Sequence, residues 1–143
     1  MRILWVLLFL LSFSCVAADQ EPIGKVKTYK PEAVIIHDGT EVEATIDTSI
    51  YAGDQIVTRA KGTVGIIFID GAVLTLGPTS RFTIDKFTFN PADNDVSFIS
   101  TIIKGTVSFI SGAIGRISPE SVKFRTPTAT LGLRGTKILV EVK

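Results

Sequence analysis

The chain has almost none of the residues around which covalent or metal-centred sites are built. One cysteine and one histidine occur among its 143 residues. A single cysteine excludes an intramolecular disulfide and any cysteine-only zinc site, and a single histidine removes most metal cages. Charge of one sign is lacking too, since 15 Lys and Arg stand against 14 Asp and Glu, a formal net charge of +1. Without a clustered basic surplus, or basic residues interleaved with aromatics, nucleic acid is not an expected partner. The hydrophobic fraction of 45% is too high for a disordered chain, and the length fits one domain rather than two.

The long apolar run that does occur lies at the start. Arg2 supplies a short positive region, Ile3 to Leu11 is unbroken apolar sequence, and Ser12 to Ala18 turns small and polar. This is the pattern of an export signal occupying residues 1–18, with cleavage expected between Ala18 and Asp19. The uncharged stretch Ile3–Ala18 is 16 residues, short of the roughly 20 that span a bilayer. Lipid attachment at Cys15 is the less favoured alternative, because Ser12 stands where an aliphatic residue is wanted. Removing the signal takes Arg2 and Cys15, leaving 14 residues of each sign, no net charge and no cysteine. The expected location is periplasmic or secreted. The remaining domain, 19–143, must then be held by burial and backbone pairing alone, with no transmembrane helix.

Helical apolar periodicity is missing from 19–143, and leucine appears only at Leu74, Leu76, Leu131, Leu133 and Leu139. Val, Ile and Thr dominate instead, residues that suit a pleated, half-buried surface. All 12 glycines lie in this part and punctuate it with turns. The expected class is all-β, a single domain of many short strands forming a β-sandwich or a β-roll or β-helix-like stack. Ala33–Ile36 and Thr40–Ala44 flank a turn at His37-Asp38-Gly39, where His37 reads as a turn residue. Val64–Ile69 and Ala72–Leu76 flank Asp70-Gly71, read as a two-residue type I′ turn. Both faces of Val64–Ile69 are apolar, so this strand is expected to be central and covered twice. Further strands are expected at 82–89, 96–103, 106–110, 122–125, 128–133 and 136–142. In the last, Ile138, Val140 and Val142 point inward. Gly-Thr after a basic residue recurs at Lys61, Lys104 and Arg134, either as turn chemistry or as equivalent corners of successive coils.

Catalytic constellations are absent by pattern. No Gly-x-Ser-x-Gly elbow occurs, Asp93-Asn94-Asp95 lacks the glycine and glutamate of a calcium loop, and no phosphate-loop setting surrounds Gly132–Thr136. The expectation is a non-enzyme with no cofactor and no metal.

The turn motifs carry more in their order than singly. Gly24-Lys25-Val26 opens the series. Gly53-Asp54 with Thr58 follows, then the Gly65–Gly71 strand into Asp70-Gly71, Pro78-Thr79-Ser80 and Lys104-Gly105. Thr126-Pro127-Thr128-Ala129 and Arg134-Gly135-Thr136 close it. This order resembles the FecR domain over roughly residues 24–142. The resemblance implies an extracytoplasmic β domain used in sensing or in binding a partner. Relay proteins of that kind carry a cytoplasmic segment and a membrane span ahead of the domain. An export signal stands there in this chain, so a free-standing periplasmic domain is expected. Arg134 is a candidate contact for an anionic ligand or a partner carboxylate, its alternative being bonds to nearby carbonyls. Arg125, Thr126 and Tyr51 are the other binding candidates. The expected partner is a protein or envelope component. A small-ligand or glycan sensor, taking peptidoglycan fragments or a ferric chelate, is the alternative.

Overall fold

A computed structural model describes residues 20–133 and 135–143. The export signal, its junction at Ala18 and Asp19, and Cys15 lie outside the described residues, as does Arg134. The early strands are β1 (Gly24–Lys30), β2 (Ala33–His37), β3 (Thr40–Glu43), β4 (Ser49–Ile50), β5 (Gln55–Thr58), β6 (Thr63–Phe68) and β7 (Val73–Leu76). Then come β8 (Arg81–Asn90) and the 16-residue β9 (Asp95–Ile110), followed by a short helix α1 (Ala113–Ile117). β10 (Val122–Arg125), β11 (Thr130–Gly132) and β12 (Lys137–Val142) complete the chain. All twelve strands among the described residues join one curled sheet, a half-barrel, antiparallel except where β10 runs parallel to β9. The fold is all-β, as the residue types require. It is a sheet bent over itself, with no coil-by-coil stacking of a β-helix.

The bend comes from one long hairpin. Leu76 pairs with Val107 and Arg81 with Lys104, so β7 and β8 together run antiparallel to β9 along a single side. Pro91–Asn94 forms its tip, where Asn94 is left-handed and Asn90 Nδ2 donates to Asp93 Oδ2 (2.8 Å). Midway, Gly77–Ser80 and Gly105 fold the hairpin in two. β6, β1 and β4 extend the sheet beyond β7, while β5, β2 and β3 extend it beyond β8. On the far side of β9, β10 and β11 flank its first half and β12 its second.

Two buried hydroxyls hold this corner. Thr58 Oγ1 donates to the Gly77 carbonyl (2.7 Å) and accepts from the Ser80 N–H (2.9 Å). Ser80 Oγ accepts from the Thr106 N–H (3.1 Å). Backbone groups freed by the bend therefore keep partners, as buried polar groups must. Gly105 has φ +99°, and a Cβ there would lie 2.1 Å from Ser80 Oγ and 2.4 Å from Ser80 Cα. Only glycine fits.

Inside the fold lies a cluster of phenylalanines. Phe98 packs against Phe68, Phe87, Phe109 and Phe124 with ring centroids 5.0, 5.5, 5.2 and 5.9 Å away. Such pairs each add about 0.5–1.5 kcal/mol beyond simple burial. Phe68 comes from β6, Phe87 from β8, Phe109 from the second half of β9 and Phe124 from β10. Phe98 therefore joins both halves of the folded hairpin.

Several expectations are corrected by tertiary contacts. The strands expected at 96–103 and 106–110 are one strand, so Gly105-Thr106 bends β9 from within rather than opening a strand. Gly62 serves differently, since a Cβ there would meet the Glu32 carbonyl oxygen at 2.4 Å. The repeated Gly-Thr element is thus not a structural repeat. His37 ends β2 opposite Thr40, and the turn is the two-residue Asp38-Gly39 with φ of 47° and 78°, the type I′ requirement. Asp70-Gly71 is instead part of a longer turn. Gly71 N–H bonds to the Phe68 carbonyl (2.9 Å), with only Gly71 left-handed. The cause is the buried Asp70 carboxylate, which turns inward to accept the N–H groups of Ala72 (3.0 Å) and Ile114 (3.2 Å) at the start of α1. β6 is central between β7 and β1 but fully covered on one face only. Val64, Ile66 and Phe68 are buried, whereas on the other face Ile67 is half-buried and Ile69, just beyond the strand, is 59% exposed.

Candidate functional site

Two places combine open surface with specific chemistry. The first is the side of the half-barrel formed by β12. This strand pairs with β9 alone, from Lys137 opposite Ile110 to Val142 opposite Gly105. Alternate backbone N–H and C=O groups on its outer edge therefore have no strand partner among the described residues. Ile138, Val140 and Val142 are half-buried against the core, and Leu139 is 71% exposed. Below the strand, a groove of about 430 Å³ runs between Val140–Lys143 and the turn joining β10 to β11.

That turn is Thr126-Pro127-Thr128-Ala129, and its geometry follows from its residues. Proline disfavours a helical conformation at Thr126, leaving its backbone free to close on Ala129. The Thr126 N–H donates to the Ala129 carbonyl (2.8 Å) and the Ala129 N–H to Thr126 Oγ1 (3.0 Å). Thr126 is half-buried with its hydroxyl engaged, while Arg125 is exposed on the outer face.

The second place is a charge clamp around His37. Asp54 is buried, and its carboxylate accepts from the Tyr51 N–H (2.9 Å) and bonds His37 Nδ1 (2.5 Å). Tyr51 lies against the imidazole with ring centroids 4.7 Å apart, and Asp38 Oδ2 sits 3.4 Å from Nε2. The Asp54 hydrogen bond raises the His37 pKa above its ordinary value. Burial opposes this, and the charges of Asp54 and Asp38 reinforce it. Nδ1 is hydrogen-bonded to Asp54 and Nε2 lies within ion-pair distance of Asp38, so charge holds the protonated ring from both sides. That suits a clamp tying β2 to the start of β5.

The four binding candidates do not gather in one place. Arg125 and Thr126 border the β12 groove, but Tyr51 belongs to the clamp. Arg125 lies opposite Thr101, Thr101 opposite Thr83 and Thr83 opposite Gln55, three strand spacings or about 14 Å from the clamp's strand. Arg134 lies outside the described residues. By sequence, His37 and Asp54 read as turn residues, and their pairing goes unseen. The two are 17 positions apart, and only the β2–β5 pairing brings them together. The motif glycines and their partners fall at structural positions: Gly53 and Asp54 before β5, Lys104 and Gly105 at the corner, Gly135 and Thr136 leading into β12.

A family model described as FecR protein matches residues 54–143. The chain belongs to the FecR family. The match covers β5 to β12, and β1 to β4 complete the same sheet ahead of it, β2 against β5 and β1 against β6. Asp54, the first matched residue, is thus clamped to a histidine from the preceding segment. FecR domains are sensing and signalling modules of the cell envelope rather than catalysts. Neither the curated proteins nor the solved structures include a match to this chain. No helix among the described residues is long and apolar enough to cross a membrane.

Proposed function

We propose that this FecR-family chain is an exported, non-enzymatic binding module that recognises a protein partner in the periplasm by strand addition along β12. The supporting observation is the open edge of β12. It is six residues long, rich in β-branched side chains, half-buried on its inner face and 71% exposed at Leu139. An added strand would complete its backbone hydrogen bonds, while the groove beside Thr126–Ala129 would receive alternate side chains of the partner. Edges of this kind are usually shielded by lysine, proline or a bulge. Within β12 only Lys137 and Glu141 serve that role, and both sit toward the ends.

The experiment is photocrosslinking in the native host, with the reactive side chain placed at position 139 or, as a control, at exposed Tyr29. A discrete crosslinked protein from position 139 only, lost when the edge is charged by Val140→Lys, supports the reading. Equal yields from both positions, or a product that survives Val140→Lys, would count against it. A variant that retains its circular dichroism but loses the crosslink separates edge recognition from unfolding.

A further inference from the structure

The outer face at the corner carries three cations with no acid partner among the described residues. Arg81 on β8 lies directly opposite Lys104 on β9, and like charges facing each other across an antiparallel pair repel. Arg59 joins them through the backbone, where the Thr79 N–H donates to the Arg59 carbonyl (3.0 Å). All three line one open groove of about 390 Å³, together with Thr79 and Glu41. None has a carboxylate within ion-pair distance among the described residues, where the ion pairs involve Lys25 and His37. Asp85 on the same face is engaged by the Thr101 hydroxyl (2.6 Å), and Glu32 accepts the Lys61 N–H (3.1 Å).

A second observation points the same way. Thr79 is β-branched yet has φ +53°, in the left-handed region that such residues avoid. Strain of this sort concentrates where a structure holds a group in place for use. Here it presents the exposed Thr79 on the rim of the cationic groove, with Ser80 beside it anchored in the corner. The corner backbone is tied by the Thr58 and Ser80 hydroxyls, so Arg59, Arg81 and Lys104 border the groove before any ligand arrives.

We infer that this groove binds a phosphate group. Two guanidinium groups, an ammonium and a hydroxyl form the donor set that recognises phosphate oxygens. Three positive charges facing Glu41 leave a surplus of two, which matches a phosphate monoester dianion better than a single carboxylate. The site lies on the outer face at the corner and does not depend on strand addition at β12.

The test uses the full chain in phosphate-free buffer at low ionic strength. Inorganic phosphate is titrated against sodium chloride of matched ionic strength, because screening alone relieves the Arg81–Lys104 repulsion. Phosphate is expected to raise Tm by several degrees more than chloride does. Lys104→Gln, an exposed position, should leave Tm without phosphate equal or higher and weaken phosphate binding about tenfold or more. Arg59→Gln should weaken binding likewise, and Lys61→Gln, outside the groove, should not. Co-sedimentation with phosphatidic acid vesicles that falls in Lys104→Gln would assign the phosphate to a lipid head group. A response to inorganic phosphate without it would assign a free one. A phosphate shift no larger than that of chloride, with no Lys104-dependent retention on vesicles, overturns the proposal, as does an undiminished shift in Lys104→Gln.

Discussion

Replacing Gly105 with alanine tests the corner on which the half-barrel depends. Two separable costs follow from the structure. The backbone there has φ +99°, a conformation that costs an L-residue about 1–2 kcal/mol. The added Cβ would also lie 2.4 Å from Ser80 Cα, a backbone atom that cannot rotate away. Overpacking of that kind costs about 1–3 kcal/mol more, so the total is about 2–5 kcal/mol. Against a typical stability of about 5–15 kcal/mol this is a large fraction. Two controls isolate the terms. Gly53 has φ +91° with nothing within 4 Å of its Cβ position, so Gly53→Ala should show the backbone cost alone, about 1–2 kcal/mol. Gly132 has neither a positive φ nor a neighbour within 4 Å, and Gly132→Ala should be neutral or stabilising by up to about 1 kcal/mol. Urea unfolding followed by circular dichroism and by the fluorescence of Tyr29 and Tyr51 measures all three. If Gly105→Ala loses no more than Gly53→Ala, the corner is not sterically closed against Ser80 and the reasoning fails.

Phe98→Ala should destabilise the chain by about 3–5 kcal/mol, because the cavity opens among four other rings from both halves of the sheet; a loss under 1 kcal/mol in urea unfolding would contradict that packing. Asp70→Ala leaves the Ala72 and Ile114 N–H groups without acceptors and should cost about 1–3 kcal/mol, read as a lower midpoint at unchanged m-value. The lone histidine gives an unambiguous proton resonance, and its titration midpoint should lie above 6.5 in the wild type and fall in Asp54→Asn. Since the folded-state pKa is raised, the clamp stabilises most below pH 6.5 and fades as pH climbs through the raised value. The Tm advantage of wild type over His37→Gln should accordingly be larger at pH 5.5 than at pH 8, and a constant difference would refute the clamp.

Much of the fold is legible in the chain itself. The limits of β10 at Val122 and Arg125 agree with those expected, and the inward set of β12 is Ile138, Val140 and Val142 as its alternation implies. Turn-forming residues mark almost every reversal. The motif order leads to the FecR family, and its members have visible work: Thr58 and Ser80 bond the corner, and Gly105 lets it close. The features that the sequence misrepresents share one cause. Gly105 between two apolar runs looks like a turn, and nothing nearby in the chain reveals that Ser80, 25 positions earlier, lies against it. Asp70-Gly71 resembles a tight hairpin until α1, some 44 positions on, supplies the N–H that draws Asp70 inward.

Composition, alternation and turn chemistry were sufficient for the all-β class, most of the strand positions and the family, because they record preferences of the backbone that act between neighbours in the chain. The folding of one hairpin into two halves of a sheet, the burial of Asp54 against His37, the single fully covered face of β6 and the gathering of Arg59, Arg81 and Lys104 arose only on pairing. Each depends on register and burial between residues far apart in sequence, and those are set by the packing of the whole sheet.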